Sequence, residues 1–158
     1  MKNSLKVLII LFFMTVFFGC NAGGEGNSQV GSSAPVFELK SVSGKTVSLK
    51  DYEGKAVLLD FGTSWCHYCV EKIPILKDIH KNRSGIIVLY IDVQENENAA
   101  KVLIEKYDIP YPVLLDKDGK VASEYKILGF PTILIVDKKG IIRYRGHSIP
   151  SDLQKFIE

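Results

Sequence analysis

Two apolar runs, Lys55–Phe61 (KAVLLDF) and Ile86–Val93 (IIVLYIDV), restrict the folds open to this chain more than any other feature. Neither alternates with polar residues, as a strand with one wet face would. Strands of this kind are covered on both sides, the condition of a largely parallel sheet between layers of helices. The segment between them fits: from Cys66 to about Lys81, Val70, Ile73, Leu76 and Ile79 fall on one helical face, with Pro74 expected as a kink. A helix is expected at Asn98–Tyr107, a short strand at Val113–Leu115 and a short helix around Val121–Tyr125. Residues 36–50 alternate about Ser43-Gly44 and predict a hairpin. Thr132–Val136 and Ile141–Arg145 flank Asp137-Lys138-Lys139-Gly140 as another. Ser151 and Asp152 are expected to open a last helix, with Leu153, Phe156 and Ile157 inward. The expected class is α/β: a central mixed sheet flanked by helices, with an N-terminal β-hairpin and one additional β-α piece.

The first nineteen residues read differently. Lys2 and Lys6 precede the apolar run Val7–Phe18, which as a helix would reach about 18 Å against a hydrocarbon layer of roughly 30 Å. That pattern predicts an export signal over residues 1–19. Gly19-Cys20 then resembles the lipobox of bacterial lipoproteins, although Phe17 and Phe18 stand where that motif usually has Leu and a small residue. The resemblance implies lipidation of Cys20 and a lipid-anchored domain facing the extracytoplasmic side; the alternative is an ordinary cleaved signal with a stray cysteine. Residues 20–34, rich in Gly, Ser and Asn, read as the lipidated cysteine and a flexible tether, and 35–158 as one domain. Lys2 and Lys6 also account for the whole formal charge of +2. The remainder is neutral, which gives no basis for nucleic-acid binding and leaves membrane contact to the lipid.

Cys66 and Cys69 follow a strand and a short turn and fall at a predicted helix start. Unpaired N–H groups there favour a thiolate, and one turn brings Cys69 near enough to attack a mixed disulfide on Cys66. Other readings of the pair can be weighed. A haem attachment motif would need His where Val70 stands. Structural zinc wants four ligands, and only His67, His80 and His147 accompany the pair. A peroxidase would use Cys66 with Thr63, but Leu59 stands where peroxiredoxins place a proline. A purely structural bridge would close too small a loop to stabilise much.

The segments VLLDFGTSWCHYCVEKIP and ILGFPTILIVDKKGII resemble the active-site and cis-proline segments of the thioredoxin superfamily. APVFELKSVSGKTVSLKDYEGKAVLLDF and the added piece between Cys66 and Pro131 resemble its membrane-anchored, TlpA- and ResA-like branch. The resemblance implies a thioredoxin-like fold and a redox-active Cys66–Cys69 disulfide, with Cys66 attacking and Cys69 resolving. It also implies a cis bond before Pro131 and, at Asp60, the buried acid of thioredoxin, which would take the Cys69 proton. Many members of the branch carry a neutral residue at that position.

His67 and Tyr68 match neither thioredoxins nor the frequent pairs of the branch. A protonated His67 would favour the Cys66 thiolate and raise the potential by some tens of millivolts (about 30 mV per 1.4 kcal/mol). Trp65 is expected to shield the disulfide's flank, Tyr68 to cover the site or meet a partner, and Phe130 to give an apolar rim; His80 and His147 read as surface residues. The expected protein is a monomeric protein-disulfide reductase without cofactor or metal. It would act on protein thiols and disulfides and take electrons from a membrane donor such as a thiol-reductant transporter. Cytochrome c maturation is one role the branch supports. A dithiol oxidant and a copper-handling module are the alternatives, the latter because soft Cu(I) suits two thiolates.

Overall fold

The computed structural model describes residues 28–157. The expected signal over 1–19, Cys20 and the tether up to residue 27 lie outside the described residues. Within them, no helix is long and apolar enough to cross a membrane.

Both apolar runs are strands: β3 (Ala56–Gly62) is buried throughout and β4 (Ile86–Val93) almost so. They pair in parallel, and β4 pairs in parallel with β5 (Val113–Asp116). The remaining strands join antiparallel: β1 (Glu38–Ser41) and β2 (Thr46–Ser48) beyond β5, β6 (Thr132–Val136) and β7 (Ile142–Gly146) beyond β3. The result is one seven-stranded mixed sheet in the order β2-β1-β5-β4-β3-β6-β7. Successive strand residues point to opposite faces, so the sheet separates two cores. On one face Leu58, Val88 and Ile133 pack with Ile73, Leu76, Ile79 and Leu103 from the crossover helices. On the other Leu59, Phe61, Ile91 and Leu134 pack with Phe37, Leu49 and Tyr125. The expected thioredoxin-like α/β architecture is the one observed.

The helix expected over 66–81 is two helices. A single turn, α1 (His67–Val70), is capped by Cys66, and α2 (Ile73–Asn82) follows after Glu71 and Lys72. Pro74 lies in the first turn of α2, where a missing N–H removes no intrahelical bond, so it starts a helix instead of kinking one. Helix α3 (Glu97–Tyr107) begins at Asn96, whose side chain accepts the Ala99 N–H, and ends at Asp108 in the left-handed region. A short helix, α4 (Lys120–Glu124), follows β5; the Asp116 carboxylate accepts the N–H groups of Val121 and Ala122.

Two other expectations are corrected. The last helix is only a 3₁₀ turn, Gln154–Phe156: the residue before it is Leu153, which has no side-chain oxygen to cap the first N–H groups. Leu153 and Ile157 are nevertheless buried, while Phe156 is half-buried against Tyr144. Residues 28–34, expected as tether, pack on the domain. Gly31 and Ala34 donate to the carbonyls of Ile142 and Gly140, and Ser32 accepts from Ile142. Composition suggested flexibility there, but the outer edge of β7 offers open main-chain groups.

Candidate active site

Three strand ends converge at the carboxyl edge of the parallel strands. β3 ends at Gly62 and leads through Thr63, Ser64 and Trp65 to Cys66. β4 ends at Val93 and leads to Glu95. β6 starts at Thr132, paired with Phe61, so the peptide bond just before it, a cis Phe130–Pro131, lies beside the end of β3. Ligand and catalytic sites of α/β sheets commonly sit at this edge.

Cys66 and Cys69 form a disulfide with their Cα atoms 5.2 Å apart. Cys69 is 1% exposed and Cys66 7%. The Cys69 N–H donates to Cys66 Sγ at 3.2 Å, a bond that would strengthen if that sulfur became a thiolate. The helix behind Cys66 is one turn long, so stabilisation of the thiolate falls to this N–H more than to a long helix dipole.

Around the disulfide stand exposed apolar groups. Trp65 is 73% exposed and packs edge-on against Phe130 with ring centroids 6.4 Å apart, joining the cysteine loop to the cis-proline loop. Tyr68 is 66% exposed; Leu128, two residues before Phe130 in the cis-proline loop, is 98% exposed. His67 turns away from its expected role: its Nε2 lies 3.0 Å from Glu71 Oε1, both side chains are well exposed, and its ring meets Tyr68 edge-on. His80 is exposed beside Tyr111. His147 is exposed too, but its Nδ1 lies 2.7 Å from the Pro131 carbonyl oxygen. That nitrogen therefore carries hydrogen, and the ring holds the cis-proline segment to the end of β7.

Beneath the disulfide, on the face covered by α2 and α3, lie Asp60, which the sequence reading named, and several groups that it missed. Asp60 is fully buried, and among the described residues neither of its oxygens has a hydrogen-bond partner. Burial pushes its carboxyl up to about 8, with Lys72 pulling the other way. Asp92 is in the same condition: 1% exposed, no partner on either oxygen, and pushed up to about 8 by burial and by Glu95. The ladder pairs Asp60 with Tyr90 and Gly62 with Asp92, which sets both aspartates on one face, two residues apart. A Cβ on Gly62 would come 2.5 Å from the Tyr90 hydroxyl and 3.1 Å from Cys69 Sγ, so the absent side chain is what lets these groups approach. Glu95 is half-buried and accepts from both the Ser64 N–H and, at 2.7 Å, the Ser64 hydroxyl. One signal was available: the penultimate residue of each apolar run is Asp. Leu128 left none. Among the described residues, no three or more His, Cys, Asp or Glu are grouped so as to hold a metal ion.

This is the geometry of a thioredoxin-like dithiol–disulfide site: a vicinal cysteine pair opposite a cis-proline with a buried acid below. The chain belongs to the AhpC/TSA family, whose model matches residues 30–145. It is 32% identical to a thiol-disulfide oxidoreductase ResA of Bacillus cereus over 168 residues, covering 99% of this chain and 96% of that relative. It is 31% identical to a thioredoxin-like protein YneN of Bacillus subtilis, covering 85% of this chain and 84% of the other. Among solved structures, the thioredoxin domain of a thiol-disulfide oxidoreductase from Bacteroides vulgatus superposes with a TM-score of 0.71 at 30% identity, covering 82% of this chain and 99% of that one. A thiol:disulfide interchange protein from Bacteroides sp. superposes at 0.65 with 30% identity, covering 74% and 80%. The protein is a thiol-disulfide oxidoreductase.

Proposed function

We propose that this oxidoreductase is exported, anchored to a bacterial membrane through a lipidated Cys20, and works as a reductant of protein disulfides outside the cytoplasm. The observation that carries the chemistry is the Cys66–Cys69 disulfide, whose Cys69 Sγ closes on Gly62, two residues along β3 from the buried Asp60. In the reduced state the Cys66 thiolate attacks a substrate disulfide; one sulfur–sulfur bond forms, one breaks, and the first substrate thiolate departs. Cys69 then gives its proton to Asp60 and attacks Cys66. The mixed disulfide breaks, the second substrate thiolate leaves, and two electrons have passed from protein to substrate. A membrane thiol-reductant donor returns them. Trp65, Tyr68 and Phe130 form the apolar rim against which the substrate segment lies, and the backbone before Pro131 pairs with it. Export and anchoring are supported by the basic, apolar start and by Gly19-Cys20. The reducing direction is supported by the resemblance to the anchored branch and by the pairing of His67 with Glu71, which removes the one local feature favouring an oxidant.

Three measurements test this reading. Cys69→Ala should accumulate mixed disulfides through Cys66, including with an oxidised Cys-x-x-Cys-His peptide of the kind presented in cytochrome c maturation. Equilibration with dithiothreitol or glutathione should give a reducing couple; a potential near about −120 mV would reverse the direction of electron flow. Radiolabelled palmitate should enter the full chain and be lost in Cys20→Ala.

A further inference from the structure

Resolution of the mixed disulfide needs an ionised Asp60, yet at neutral pH that carboxyl holds its proton. Asp60 is wholly buried, so it can serve as a base only after passing this proton elsewhere. The titratable groups that bear on it and on its neighbours are few. They are Lys72 between α1 and α2, Tyr90 on β4, Tyr111 before β5, and Asp92 with Glu95 at the end of β4.

Lys72 and Glu95 are both half-exposed, but Lys72 is a cation, whereas Glu95 is a carboxylate bonded to the cysteine loop at Ser64. Asp92 stands opposite Gly62, at the place where Cys69 Sγ and the Tyr90 hydroxyl close in. Among the described residues neither Asp92 oxygen meets a donor, and its charged neighbour is the Glu95 carboxylate. Two carboxylates repel, and they make a hydrogen bond only when one of them carries a proton. Glu95 is half-exposed and bonded to Ser64, two residues before Cys66, so the far end of this polar row opens at the rim of the site.

We propose that Asp92 and Glu95 share one proton and form the exit through which Asp60 releases its proton so that Cys69 can be deprotonated. The inference rests on the disulfide-exchange reading of the site. In the step itself no electrons move. Asp60 gives a proton to the ionised pair, the pair gives one to water at Glu95, and Asp60 is left as the carboxylate that accepts the Cys69 proton. Burial that keeps Asp92 protonatable near neutral pH suits it to this exchange. Neither Asp92 nor Glu95 touches substrate; both act through Asp60.

The test uses the reduced protein with 5,5′-dithiobis(2-nitrobenzoate) in stopped flow. Attack by Cys66 releases a first coloured thiolate and resolution by Cys69 a second. Asp92→Asn and Glu95→Gln should leave the first phase at the parental rate and slow the second about tenfold at pH 7. High concentrations of imidazole, a small proton carrier, should restore the second phase in both variants and leave the parent unchanged. Glu95→Gln retains a side chain able to bond Ser64, which guards against a merely structural effect. Parental second-phase rates and pH profiles in both variants would overturn the relay, as would slowing that imidazole does not relieve. Loss of the first phase in the unsubstituted protein would overturn the exchange chemistry, and the relay with it.

Discussion

Asp60→Asn should stabilise the oxidised domain, by an amount set by pH. A protonated Asp60 and an asparagine bury similar unpaired polar atoms, so at pH 4 the two proteins should unfold at nearly the same urea concentration. The unfolded carboxyl releases its proton near 3.8, whereas the native one holds it up to about 8. Between those values the unfolded chain binds fewer protons than the native one. Wild-type stability therefore falls as pH rises past about 4 and levels off above about 8. Asparagine has no such penalty. At pH 7, about three units above the unfolded value, the variant should be more stable by about 4 kcal/mol. Asp92 is present in both proteins, so its own titration largely cancels in the difference. Urea unfolding in steps from pH 4 to pH 9, with tryptophan fluorescence from Trp65, measures it. A gap that does not change with pH, or a variant less stable than the parent at pH 7, would refute the argument that the buried carboxyl is held neutral.

Gly62→Ala should destabilise the oxidised protein by about 1–3 kcal/mol, because the new methyl group must displace the Tyr90 hydroxyl and Cys69 Sγ; urea midpoints will show it. His67→Ala should move the reduction potential by less than about 20 mV, since the exposed ring is engaged with Glu71 and not with the cysteine sulfur; redox equilibration against glutathione measures the shift. Asp137→Ala should cost about 2 kcal/mol in denaturant unfolding. Its buried carboxylate accepts the Lys139 and Ile141 N–H groups and pairs with Arg143 at 2.6 Å, holding the β6–β7 turn.

The elements were legible wherever local chemistry is decisive. Continuous apolar runs could only be doubly covered strands, and β3 and β4 are that. Turn residues such as Ser43-Gly44 and Asp137–Gly140 placed both hairpins. Cys66 and Cys69, three positions apart, announced their own chemistry. Where a helix depends on its cap or on a neighbour, the pattern misled: Pro74 fits equally a kink or a first turn, and the segment after Ser151 carries helical periodicity without a cap.

By itself the sequence determined the layered α/β class, the vicinal cysteine pair and the one aspartate that interrupts the first apolar run, because each follows from residue type and short-range spacing. Only the tertiary structure decided that Asp92 joins Asp60 on one face, that Gly62 makes room for Cys69, that Glu95 reaches Ser64, and that His67 prefers Glu71. Those contacts depend on strand register and on the order in which strands meet. Register is settled by the fit of two whole faces, and no local stretch of the chain contains it.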